Sequence, residues 1–169
     1  RDSYKFGDAI YLAKIETKYW IEYICKRFEN TGKHISPELA EEICRLVDNH
    51  SSYVQQLSWL LWIRTINTAT TEQLSYALED LLDQNNILFQ SETENLSAYQ
   101  MNFLKAIVDG IHTKFSSKEV ISKYNLGTSA NIVRLKNALL QKELIETNGK
   151  EIVLADPVFG VWFKKEMLY

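Results

Sequence analysis

SSKEVISKYNLGTSANIVRLKNALLQKELIETNGKEIVL, residues 116–154, sets two short helices, a tight turn and a hairpin in immediate succession. Ser116 and Glu119 match a capping box, in which an N-cap hydroxyl and a side chain three residues on satisfy each other's backbone N–H groups. Val120, Ile121 and Tyr124 follow, and Asn125-Leu126-Gly127 supplies a turn whose glycine can take positive φ. Thr128 is placed to cap a second helix with Ile132, Leu135, Leu139 and Leu140 on its inner face. Two β-prone runs, Leu144–Thr147 and Lys150–Leu154, are joined by Asn148-Gly149, the dipeptide that best encodes a two-residue hairpin. Helix, turn, helix, then hairpin is the grammar of a winged helix-turn-helix. A generic helical domain with a hairpin is the alternative.

Outward from that stretch the chain reads as helix. Upstream, Ser97 and Gln100 repeat the capping-box spacing, with Phe103, Leu104, Ile107, Val108 and Ile111 on one face. Downstream, Asp156-Pro157 opens a short helix whose Phe159, Trp162 and Phe163 can lie over the winged core. Residues 90–95 are polar and aperiodic, which predicts a loop and a module boundary.

Before that boundary, Trp20, Ile21, Ile24, Cys25 and Phe28 define one helix, and a second starts at Ser36-Pro37 with Leu39, Ile43, Leu46 and Val47 inward. A third, about 52–66, is apolar on most of its circumference through Val54, Leu57, Trp59, Leu60, Leu61, Trp62 and Ile63. It should therefore be the central helix of its module. Thr70 and Gln73 match a capping box before the stripe Leu74, Ala77, Leu78, Leu81 and Leu82. At the front, residues 7–12 carry a short β-forming run, either one strand lacking partners or an extended arm. The expected fold is mainly α: a strand remnant in residues 1–16, a helical bundle over 17–93, and a winged helix-turn-helix domain with a β-hairpin wing over 94–169.

Composition agrees with a cytoplasmic globular protein: 46% hydrophobic residues, 24% charged, and a mean hydropathy of −0.24. The apolar run Trp59–Ile63 is far too short to cross a bilayer, and no signal peptide opens the chain. The first residue, Arg1, suggests a start internal to a longer protein. Cys25 and Cys44 sit among apolar residues at helical spacing and read as reduced, buried thiols. The net charge of −3 hides an asymmetry, because residues 1–96 balance at −6 and residues 97–169 at +3.

No G-x-x-x-x-G-K-[ST] phosphate loop is present, so the chain by itself is not expected to cradle a nucleotide. His34, His50 and His112 have no Cys or carboxylate at ligand spacing, which argues against a metal site. Ser51 and Ser52 beside His50 lack a nucleophile elbow and read as helix-capping residues. With no nucleophile, metal set or acid pair to name, the chain alone reads as non-enzymatic.

On the second helix of the winged motif, Ser129, Asn131, Arg134, Lys136, Asn137 and Gln141 point outward, with Lys150 on the wing. Arg and Asn can contact base edges and Lys can meet phosphate, so this face is a candidate for DNA. The same residues equally make a solvated face or a protein contact, since +3 is a weak basic footprint.

Phe6–Leu12, Tyr53-Val54-Gln55-Gln56-Leu57 with the tryptophans that follow, and Ala155-Asp156-Pro157-Val158-Phe159 with Trp162 occur in an order that resembles the C-terminal part of bacterial AAA+ ATPases of the archaeal-ATPase, STAND-like group. The resemblance implies that residues 7–12 end a nucleotide-binding sheet, that residues 17 to about 90 form the lid, and that the winged helix follows. It implies ATP and Mg in the intact parent, none in this chain, and an upstream nucleotide-binding domain as intramolecular partner. Related ATPases carry a Gly-x-Pro signature at the lid helix that faces the nucleotide. Asn49, His50 and Ser51 occupy the matching positions, with neither Gly nor Pro. The function so implied is a non-catalytic regulatory tail that couples nucleotide state to a partner. The alternative is a DNA-binding regulator with a helical sensor or dimerisation domain.

Overall fold

The computed structural model describes residues 14–168, and the strand expected over residues 7–12 lies outside them. The described residues fall into two compact units that divide between Gln73 and Leu74.

The first unit is built on α1 (Thr17–Glu29), α2 (Pro37–Leu46) and α3 (Ser51–Arg64). Helix α1 buries Trp20, Ile24 and Phe28, the i, i+4 stripe expected of an amphipathic helix, while Ile21 and Cys25 are half-buried. Ser36 caps α2, its hydroxyl accepting from the Leu39 N–H at 3.2 Å, and Pro37 takes the first helical position, where its missing N–H costs nothing. A short parallel bridge between His34 and Thr68 ties the α1–α2 connection to the segment after α3.

Helix α3 departs from expectation. Val54, Leu57, Leu60 and Leu61 are buried, but Trp59 is 58% exposed and Ile63 50%, so α3 is not wrapped on all sides. In a unit of three helices α3 has only two helical neighbours to cover its circumference, and its apolar excess is left facing outward. Its cap also differs: His50 is the N-cap, its Nδ1 accepting from the Tyr53 N–H, and Ser51 and Ser52 lie inside the first turn.

The second unit takes most of α4 (Thr71–Thr93), then α5 (Ala98–Val108), α6 (Lys118–Tyr124), α7 (Ser129–Gln141), β1 (Ile145–Asn148), β2 (Glu151–Leu154) and α8 (Pro157–Met167). Helix α4 starts at the Thr70–Gln73 capping box, with both reciprocal hydrogen bonds present. It runs through residues 90–93, where the sequence predicts a loop. The division of packing at 73/74 therefore differs from the expected boundary at 93/94. The reason lies in its last turns, where Phe89 is buried edge-on to Phe159 of α8 at 5.4 Å and beside Trp162 at 5.6 Å. The Trp162 indole N–H donates to Asn86 Oδ1 at 2.8 Å, and the Lys165 ammonium pairs with Glu79.

Within the winged core, Phe103 of α5 stacks on Phe115 at 4.4 Å, and Ile132, Leu135 and Leu139 of α7 are buried. The capping box of α5 is formed as expected between Ser97 and Gln100. Two caps shift. Helix α6 is capped by Ser117 rather than Ser116, its hydroxyl accepting from the Val120 N–H, and Thr128 precedes α7 without a side-chain cap. The hairpin shifts by one residue as well: Asn148 pairs with Glu151, which leaves Gly149-Lys150 as the two-residue loop. Gly149 alone takes positive φ there, the Gly-first pattern of a II′ turn. His112 joins the wing from outside, its carbonyl accepting from the Ile152 N–H at 2.9 Å and its ring Nδ1 lying 3.0 Å from the Ile152 carbonyl oxygen.

Candidate functional site

Two places hold the residues singled out in the sequence. Asn49, His50 and Ser51 come together at the turn between α2 and α3 in the first unit. Asp48 and Asn49 both adopt left-handed backbone, with φ of 49° and 53°, a conformation that Asn and Asp tolerate better than other L-residues. That double reversal delivers the chain into the first turn of α3, where the exposed Ser51 and Ser52 sit at the positive end of the helix dipole. The turn is braced from the start of α1 and the residues before it: the Lys14 ammonium contacts the Asp48 carboxylate at 2.7 Å, and the Asn49 amide donates to Oγ1 of Thr17, the first residue of α1, at 2.9 Å. The His50 ring packs against Tyr53 with centroids 4.7 Å apart.

A hollow of about 510 Å³ opens beside Asn49, lined by Glu38, Glu41, Glu42, Asp48 and Arg45. The Arg45 guanidinium is engaged by Glu42, and its hydrogen bond holds the Glu42 carboxyl below the usual carboxylate range. This side of the turn is anionic and repels phosphate. The exposed Ser51–Ser52 end carries no acidic residue in the first turn of α3. Among the described residues no group of three His, Cys, Asp or Glu is arranged to hold a metal ion.

The second place is α7 and the wing. Ser129, Arg134, Asn137 and Gln141 are exposed, and Arg134, Asn137 and Gln141 follow one another at i, i+3, i+7 on one face. Asn131 and Lys136 are half-buried. The Asn131 amide turns back to the Leu126 carbonyl at 3.5 Å, so it serves the α6–α7 turn. Lys150 is exposed at the tip of the wing, flanked by exposed Glu146 and Glu151. Val133, 64% exposed, interrupts the polar face.

Electrostatics change once α4 is counted with the second unit. Residues 74–96 hold five Asp/Glu and no Lys/Arg, so residues 74–169 balance at −2 instead of the +3 of residues 97–169. The exposed apolar face of α3, missed in the sequence, was encoded by its own excess: more apolar positions than a helix of one small bundle can bury. Among the described residues no helix is long and apolar enough to cross a membrane.

The comparisons with known proteins agree with this architecture. Residues 87–165 match the family described as "Probable winged helix domain", a match that starts inside α4. A Walker-type ATPase of Pyrococcus abyssi is similar in structure, with a TM-score of 0.66 and 18% sequence identity over 89% of this chain. The chain spans 42% of the length of that ATPase. No curated protein matches the sequence. The family match falls on the stretch that carries α5, α6, α7, the β1–β2 hairpin and most of α8, so the helix-turn-helix with its wing is the part of this chain similar to a winged helix domain, and the likeness to the ATPase is one of fold.

Proposed function

We propose that this chain is the lid and winged-helix part of an ATP-binding protein, a non-catalytic element that couples the nucleotide state of an upstream core to a partner. The observation that carries the reading is the fold shared with a Walker-type ATPase over 89% of the chain. The α2–α3 turn adds support. Asn49, His50 and Ser51 stand at an exposed helix N-terminus, the place where backbone N–H groups and the helix dipole favour a phosphate. ATP and Mg are held by the parent protein, which supplies the phosphate loop. Isothermal titration of ATP into this chain then gives no heat of binding, whereas the longer protein binds and is weakened by Ser51→Glu. Tight ATP binding by the chain alone would contradict the reading.

A second reading, duplex DNA contact by α7, is favoured by the exposed stripe Arg134, Asn137 and Gln141. Weighing on the other side are the balance of −2 over residues 74–169 and the glutamates flanking Lys150. The reading requires duplex binding that falls steeply with salt and weakens in Arg134→Ala and Lys136→Ala. Affinity that is absent at low ionic strength eliminates it.

A further inference from the structure

Helices α1 and α3 of the first unit enclose an open groove of about 590 Å³ whose walls include Tyr23, Arg27, Phe28, Gln55, Trp59 and Trp62. Trp59 and Tyr23 are 58% and 46% exposed, and one turn further along α3 Ile63 is 50% exposed. Contiguous exposure of this kind is uncommon on a self-sufficient surface and marks places where another molecule packs.

The floor of the groove is held in place. The Trp62 indole N–H donates to Thr31 Oγ1 at 2.8 Å, and the Thr31 hydroxyl donates to the Phe28 carbonyl at 2.9 Å. The Lys33 ammonium lies 4.0 Å from the Trp62 ring centroid and donates to the Trp62 carbonyl at 2.8 Å. A pocket whose aromatic wall is already fixed loses little side-chain entropy when it is filled.

Its charge is one-sided. Arg27 is the ionised residue lining the groove. It lies over the Tyr23 ring at 5.7 Å and has no carboxylate partner among the described residues. Helix α3 contains no Asp or Glu, and the carboxylates of α1, Glu22 and Glu29, do not line the groove. The site thus offers an apolar slot, a neighbouring unpaired guanidinium and a second cation at Trp62.

We propose that the α1–α3 groove docks an acidic amphipathic helix of a partner protein, its apolar side chains entering between Tyr23 and Trp59 and one of its carboxylates meeting Arg27. The assignment rests on the groove alone and is independent of the nucleotide reading. The test uses three capped helical peptides with identical Leu and Phe positions, carrying Glu, Gln or Lys elsewhere, titrated into the whole chain. Binding is followed by tryptophan fluorescence and by the indole N–H resonances of Trp59 and Trp62.

The Glu peptide is expected to bind saturably and at least about tenfold more tightly than the Lys peptide, because complementary charge sets partner preference. Arg27→Gln should remove that preference, and Trp59→Ala should weaken the Glu peptide by about tenfold, as a truncated aromatic anchor does. Both substitutions are at exposed side chains, and circular dichroism establishes that each variant is folded. Equal binding of the Glu and Lys peptides, no saturable binding, or shifts confined to other residues would overturn the proposal. So would a concentration-dependent dimer that Trp59→Ala dissolves and the Glu peptide does not displace, since the occupant would then be a second copy of this chain.

Discussion

Burial pushes the Cys44 thiol up to about 11, from an ordinary value of 9.0; desolvation is the largest cause and the nearby Glu41 adds to it. Because the folded pKa is the higher one, folding favours the protonated thiol. That contribution is complete below about pH 9 and is lost as pH rises through about 11. At pH 8 a thiol reagent should therefore modify the half-buried Cys25 first and reach Cys44 only on denaturation, which mass spectrometry of the labelled chain reads directly. Equal labelling rates in the native chain would refute this. A second residue acts through its backbone. Gly127 has a φ of 84°, and a Cβ there would meet the Asn131 amide at 3.3 Å and Tyr99 at 3.5 Å. Gly127→Ala should cost roughly 1 kcal/mol or more, seen as a lower midpoint of urea unfolding.

At the scale of the element, α3 separates two kinds of apolar residue that look alike in the sequence. Leu61 is fully buried and Trp59 is not. Leu61→Ala should destabilise the chain by about 2–5 kcal/mol, the usual cost of a core truncation that leaves a cavity. Trp59→Ala should change stability by less than about 0.5 kcal/mol, the range of a surface substitution. Denaturant titration of the two variants checks both. Comparable losses would mean that the outer face of α3 is packed in the free protein. Helix starts were largely legible in the sequence, since the boxes at Thr70–Gln73 and Ser97–Gln100 are local exchanges between residues three apart. Where two candidate hydroxyls stand side by side, as at Ser116-Ser117, the spacing does not choose, and the helix axis set by packing does.

At the scale of the whole molecule, α4 is the element whose allegiance matters most. Phe89 is 1% exposed among Phe159 and Trp162, so Phe89→Ala should cost about 3–5 kcal/mol. The loss should appear as unfolding at lower denaturant when the Trp162 indole resonance is followed. A Trp162 transition unchanged by Phe89→Ala would remove α4 from the winged core. The same allegiance brings five carboxylates and no base from residues 74–96 into the second unit, which weakens the case for α7 as a DNA reader.

The amino-acid sequence by itself determined the mainly helical fold, the winged order of elements, the principal caps and the hairpin to within one residue. All of these depend on interactions between residues a few positions apart. It also brought Asn49, His50 and Ser51 to one turn, because adjacent residues need no tertiary contact to meet. Tertiary structure alone decided that α4 runs on to Thr93 and packs under α8, and that Asn131 bends back to its own turn. It alone left Trp59 and Ile63 uncovered. Hydrophobic periodicity states which face of a helix is apolar, whereas burial depends on how many neighbours arrive to cover it, and those neighbours are distant in the chain.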